Sequence, residues 1–288
     1  MILGTRSNRI SMAMANEVLK LMRQRSPGEP VELKIQTGEG KPSEPASGNQ
    51  TTWEYGQLLD GLRSAGIDAA AVGVDEVPLG PDHWSEVAAV LPRGPAEDVL
   101  VSTLPLERLR PGAVIGVSSA RQKGLVMNLR PDLVTKNMRE DTNQGLDIGK
   151  GLDGFIVSRA GKELLRIDCP AYTLDPDQFI PGPGQGAVAI LCRRDSPHWN
   201  QLNAFDDRAA RVCVESERFL LGTIARDNSV PAGIWAVADE EDVRIRATVT
   251  DQDGFTSFRL DRNIGMDRLE EGLQQFAKEL KYAWELVI

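Results

Sequence analysis

The sequence is poor in the residues that build disulfides and metal centres. It holds three cysteines and two histidines in 288 residues. Cys169, Cys192 and Cys213 are odd in number and show no CxxC spacing. That excludes a disulfide scaffold and a cysteine zinc site, and it fits a reducing, cytoplasmic setting. His83 and His198 lie far apart, so no metal site is expected. No run of about 18 apolar residues occurs, and no transmembrane helix is expected. The N-terminus, MILGTRSNRI, lacks an apolar signal core and reads as a strand inside the fold. An excess of positive charge is also missing. Lys and Arg number 33 against 42 Asp and Glu, for a net charge of −9. Neither nucleic acid nor an anionic membrane is therefore an expected partner. No internal repeat and no heptad pattern stands out, and a monomer is expected.

What is present is ordinary globular composition, 41% hydrophobic and 26% charged. The length suits two or three domains. Ile2–Gly4 is an apolar run ending in Gly-Thr-Arg-Ser. A helix over 12–22 follows, with apolar Met12, Ala15, Leu19 and Met22 and with Ser11 as its cap. Val31–Ile35 is the next strand, so the chain opens strand–helix–strand, which favours a parallel α/β sheet. Ligands collect at such strand ends. Residues 41–52, KPSEPASGNQTT, have the composition of a flexible loop. A helix is expected from Trp53 to Ala65. Strands are expected at 69–74, 87–91, 99–102, 114–117, 134–136 and 155–158, with a helix from Ala120 to Leu129. Arg93–Asp98 reads as a crossover between two α/β lobes. Pro181 to Gly186 is a sharp turn before the strand AVAIL, and it lacks dinucleotide-fingerprint spacing. A helix over 208–221 is expected to turn Val212, Cys213, Phe219 and Leu220 inward. Strands at 235–238, 244–250 and 255–259, a turn at Gln252-Asp253-Gly254 and a helix over 266–280 make a small α+β domain.

In their order and separation, several segments resemble the porphobilinogen deaminase (hydroxymethylbilane synthase) family. They are Gly4-Thr5-Arg6-Ser7, Asp75-Glu76-Val77-Pro78, Ile115 to Arg121, Arg130-Pro131-Asp132-Leu133, Met138-Arg139, Pro183 to Ala187, and Glu217-Arg218 followed by Val230-Pro231. The resemblance runs nearly end to end. It implies an α/β fold of two periplasmic-binding-protein-like lobes plus a small C-terminal α+β domain. The expected boundaries are 1–90 with 187–205 for lobe 1, 93–184 for lobe 2 and 208–288 for the last domain. It further implies a cleft that handles pyrroles, with a dipyrromethane primer held by a cysteine thioether. Four porphobilinogen units are added in turn, each losing ammonia, while a carboxylate assists and arginines bind the acid side arms.

On the same alignment the residues of the chemistry differ. The cysteine position is Asn228, and a carboxamide forms no thioether, so no cofactor is expected. The catalytic carboxylate position is Glu76, with Asp75 where a cation is expected. Arg6, Arg121 and Arg139 fall on arginine positions, with Ser7, Ser118, Ser119 and Gln185 as further substrate-binding candidates. Ser118 and Ser119 stand where a helix N-terminus can bind a carboxylate. Other cations are replaced by Gln122, Gly145 and Glu97. A pyrrole chain with about twelve carboxylates is poorly matched to that loss. The expected function is therefore binding, or a changed single step on, a small anionic ligand such as porphobilinogen or a related pyrrole. The alternatives are a hydroxymethylbilane synthase, a transferase of tetrapyrrole biosynthesis, with an unusual primer site, or a non-catalytic partner protein.

Overall fold

A computed structural model describes residues 1–36, 50–80, 83, 86–138, 151–225, 230–251 and 253–288. The contacts divide the chain into two compact units, Met1–Arg93 with Ala187–Arg211, and Gly94–Gly186 with Val212–Ile288.

The first unit is built on five strands: β1 (Ile2–Thr5), β2 (Glu32–Ile35), β3 (Ala69–Gly73), β4 (Val87–Val90) and β10 (Val188–Cys192). Their order is β2-β1-β3-β10-β4. Both β2 and β3 run parallel to β1, while β10 runs antiparallel to its neighbours β3 and β4. The central strands AAAVG, VAAV and VAILC are apolar almost throughout, as strands covered on both faces require. Helix α1 (Arg9–Arg25) buries Met14, Ala15, Val18, Leu19 and Met22, one stripe at helical spacing. That stripe joins Leu3, Ala71, Ala89 and Ile190 in the core. The cap of α1 is Asn8, whose side chain accepts from the Ser11 amide. Ser11 is thus not the cap; the helix starts earlier, and its hydroxyl is turned inward. Helix α2 spans Gln50–Arg63. The expected 41–52 loop lies mostly outside the described residues.

The second unit repeats this sheet. Its strands are β5 (Asp98–Ser102), β6 (Val114–Val117), β7 (Val134–Asn137), β8 (Gly154–Ser158) and β9 (Ala171–Thr173), in the order β7-β6-β8-β5-β9. Again four strands run one way and one, β5, runs antiparallel to both its neighbours, β8 and β9. Helices α3 (Ala120–Leu129) and α4 (Arg159–Leu164) follow β6 and β8. Helix α5 (Trp199–Asn203) follows β10 in the first unit. The sequence reading had no counterpart for α4, α5 and β9, all too short to show a period.

Helix α6 (Arg208–Ile224) leads to an antiparallel meander of β11 (Ala232–Ala238), β12 (Asp242–Thr250) and β13 (Ser257–Gly265), then to α7 (Leu269–Glu285). Phe219 is exposed, contrary to expectation. The inward stripe of α6 is Cys213, Val214, Glu217, Leu220 and Leu221, and it leaves Phe219 on the far side. Helix α7 seats Phe276, Ala277, Leu280 and Ala283 beside β12 and β13. Close to Thr250, α3 lies so near β12 that a Cβ on Gly124 would fall 2.2 Å from the threonine hydroxyl. The two-sheet architecture with its extra antiparallel strand in each lobe, plus a C-terminal sheet and helix, is the expected α/β fold class.

Candidate functional site

In the first unit, β1 and β3 are parallel neighbours, so their C-terminal ends carry Arg6 and Glu76 to the same edge. Glu76 closes a 3-10 turn, Val74–Glu76, directly after β3. Arg6 Nη2 donates to both carboxylate oxygens of Glu76, at 2.5 Å each. Arg6 Nε donates to Ser11 Oγ at 3.0 Å, and Thr5 Oγ1 donates to the Ser11 carbonyl at 3.0 Å. Arg6 is buried, and Glu76 keeps partial contact with water. Thr5, Arg6, Ser11 and Glu76 are thus one connected group, and the arginine's charge is balanced on the spot. Asp75 is exposed, with its carboxylate curled back toward Gly73. Ser7 is exposed beside the group.

In the second unit, β6 ends at Val117 and Ser119 caps α3, its hydroxyl accepting from the Gln122 amide. Ser118 donates through its amide and its hydroxyl to Gln122 Oε1, at 2.8 and 3.0 Å. Arg121 makes a two-pronged pair with Asp98, Nη1 to Oδ2 at 2.8 Å and Nη2 to Oδ1 at 3.1 Å. Asp98 is 0% exposed and Arg121 6%. Gln122 Nε2 donates to the same Asp98 Oδ1 at 3.0 Å. Arg121 also donates to the Ile180 carbonyl and to Gln185 Oε1, both at 3.0 Å. Gln185 in turn donates to the Ala96 carbonyl at 2.6 Å. The turn that carries Gln185 ends at Gly186, φ +78°, where a Cβ would meet the Pro95 carbonyl at 2.6 Å. Only glycine fits there. Glu217, fully buried on α6, accepts from the amides of Gly184 and Ala236, both at 2.7 Å.

The expected site residues therefore fall into two groups. Arg6, Ser7, Asp75 and Glu76 gather in the first unit, and Ser118, Ser119, Arg121 and Gln185 in the second. Arg139, Gly145 and Asn228 lie outside the described residues. Sequence reasoning missed Asp98, Glu217 and Ser11. The first two had a readable signal, an acid opening the apolar strand DVLVS and an acid at i+3 and i+4 from Val214 and Cys213 on an inward stripe. Ser11 had none.

The sequence matches a known family. The family model described as porphobilinogen deaminase, dipyromethane cofactor binding domain, covers residues 1–201. The chain belongs to the porphobilinogen deaminase family. A probable porphobilinogen deaminase of Methanosarcina acetivorans is 29% identical, covering 92% of this chain and 86% of that one. A probable porphobilinogen deaminase of Thermoplasma acidophilum is 28% identical over 96% and 95%. The porphobilinogen deaminase of Thermus thermophilus is 27% identical over 97% of both. Among solved structures, the periplasmic aliphatic sulphonate binding protein SsuA from Escherichia coli is 16% identical with a TM-score of 0.40, covering 77% of this chain and 68% of that one.

The family model names a dipyrromethane cofactor, and the thiols of this chain can be tested against it. Cys192 and Cys213 are buried, and Cys169 is half-buried against the cluster of Val99, Val101, Phe155 and Val157. Burial pushes the Cys192 thiol up, away from the nucleophilic thiolate. Of the three thiols, Cys169 keeps partial exposure and the other two are buried. Among the described residues no helix is long and apolar enough to cross a membrane, and no group of His, Cys, Asp and Glu could hold a metal.

Proposed function

We propose that this chain keeps the family fold without assembling the thioether-anchored dipyrromethane primer. In place of a growing pyrrole chain it takes one small carboxylate-bearing ligand, porphobilinogen or a related pyrrole. The observation that carries this reading is the local pairing of its arginines, Arg6 with Glu76 and Arg121 with Asp98. A guanidinium already matched by a carboxylate adds little net attraction for another anion, and freeing it leaves that carboxylate unpaired. A chain with about twelve carboxylates needs many uncompensated cations, whereas one small ligand needs one or two. Asn228 and the buried thiols support the same conclusion. In this reading Ser118, Ser119 and Arg139 receive the ligand's acid groups, while Arg6 holds Glu76 in place within the first unit and Arg121 holds Gln185 within the second.

The second reading is a hydroxymethylbilane synthase whose primer is attached elsewhere. It is favoured by the relatives named porphobilinogen deaminase, which align over more than nine-tenths of this chain. Intact mass, measured before and after incubation with porphobilinogen, separates the two. The expected result is the bare mass of 31.5 kDa in both samples, with porphobilinogen bound reversibly and not consumed. Stepwise pyrrole additions, or a primer already present, establish the second reading instead, and peptide mapping then locates the nucleophile.

A further inference from the structure

The C-terminal sheet holds a cluster of guanidinium groups that the proposed function does not use. Along β12, alternate residues share a face, so Arg244, Arg246 and Thr248 stand together. The ladder sets Trp235 of β11 and Asp261 of β13 on either side of Arg246. Arg259 lies opposite Thr248 on the same face. The Arg246 guanidinium stacks over the Trp235 ring, 4.1 Å from its centroid.

Arg246 is 6% exposed, yet its Nε has no hydrogen-bond partner. Its Nη1 donates to Asp177, which is carried on the turn that follows β9. The same Asp177 oxygen lies 4.0 Å from Arg259 Nη2. Arg244 is taken up separately, by both oxygens of Asp261. One aspartate, half in water, therefore serves two arginines, and a buried donor is left over. Three guanidiniums face two carboxylates, so the cluster carries an excess positive charge. A buried N–H without an acceptor is costly and calls for an explanation.

We propose that Arg246 and Arg259 form a binding site for a small oxyanion, a phosphate or a carboxylate group, and that the Asp177 carboxylate occupies it as an internal competitor. The incoming anion accepts from the guanidinium edges of Arg246 and Arg259, with Trp235 fixing the plane of Arg246. Asp177 swings out into water, where much of its side chain already lies. This site is independent of the proposed pyrrole ligand.

The test is calorimetric titration of the full chain with inorganic phosphate, and in a second arm with succinate, at constant ionic strength. Asp177→Asn removes the competitor and should tighten binding of at least one of the two anions about tenfold. Arg259→Gln, at an exposed position, should weaken the same binding about tenfold in the wild-type background and abolish the gain in Asp177→Asn. Should Asp177→Asn fail to fold, Arg259→Gln alone decides the matter. Binding that Arg259→Gln leaves unchanged overturns the proposal, and so does no binding of either anion in a folded Asp177→Asn.

Discussion

The two lobe sheets have the same plan and use it differently. Gly4 in β1 and Gly116 in β6 occupy matching places, each paired with a lysine on one side, Lys34 or Lys136. In each sheet the strand that breaks the parallel run is the one next to the chain crossing. The arginines that follow these two strands are treated unalike. In the first unit Arg6 is held by Glu76, a carboxylate with access to water. In the second unit Arg121 is held by Asp98, which is wholly buried and also serves Gln122. The lesson is that equal topology fixes where a strand ends but not how its charge is met. The first unit leaves its ion pair in partial contact with water. The second makes its pair part of the core.

The sharpest way to break this comparison is to remove the two arginines separately. Arg121→Ala strands the Asp98 carboxylate and should cost about 3–5 kcal/mol in urea unfolding. Arg6→Ala should cost about 1–3 kcal/mol, because Glu76 can turn to water. Equal losses would show that the two pairs do the same job. Next in size is Glu217→Ala, which leaves the amides of Gly184 and Ala236 without an acceptor. It should cost about 2–4 kcal/mol, and Glu217→Gln about half as much, since one acceptor survives.

A smaller effect is expected from the matching glycines. A Cβ at Gly116 would meet Met138 Sδ at 2.4 Å and the Phe155 Cβ at 3.0 Å, whereas one at Gly4 would meet chiefly the Ile67 side chain, its Cδ1 at 2.3 Å. Side-chain tips move and Cβ atoms do not. Gly116→Ala should therefore lose about 2–3 kcal/mol and Gly4→Ala about 1 kcal/mol by thermal unfolding.

The smallest effects are those of pH, and they have opposite signs. In the second unit Asp261 is held below the usual carboxylate range by hydrogen bonds from Arg244, and Asp239 by the amides of Asp242 and Glu241. A lowered carboxyl favours the fold above its unfolded value near 4, and that gain is lost as pH falls further. In the first unit burial raises the Cys192 thiol. A raised thiol favours the fold below about 8.5, and the gain fades as pH rises past that value. Unfolding midpoints measured from pH 3 to 10 should fall slightly at both ends, and Cys192→Ala should flatten only the alkaline one. Thiol titration in the native state should label Cys169 ahead of Cys192 and Cys213.

Much of this molecule was legible in its sequence. The apolar runs AAAVG, DVLVS and VAILC pointed to strands buried on both faces, because they are short and bounded by turn-forming residues. Ser119 announced the start of α3, and the alternation in β12 announced a sheet with two unlike faces. Family membership followed from motifs strung along the whole chain. Other features depended on packing. Nothing local says that Asp98 meets Arg121 across 23 residues, or that Glu76 meets Arg6 across 70. An isolated arginine reads as a ligand-binding cation until the fold shows which carboxylate reaches it. Sequence by itself determined the strands, the helices with a clear stripe, the order of the lobes, and the absence of a cysteine at position 228. Tertiary structure alone decided which charges are already paired. Ion pairs form between residues brought together by the meeting of separate strand ends, and that proximity is a property of the sheets, not of any stretch of chain.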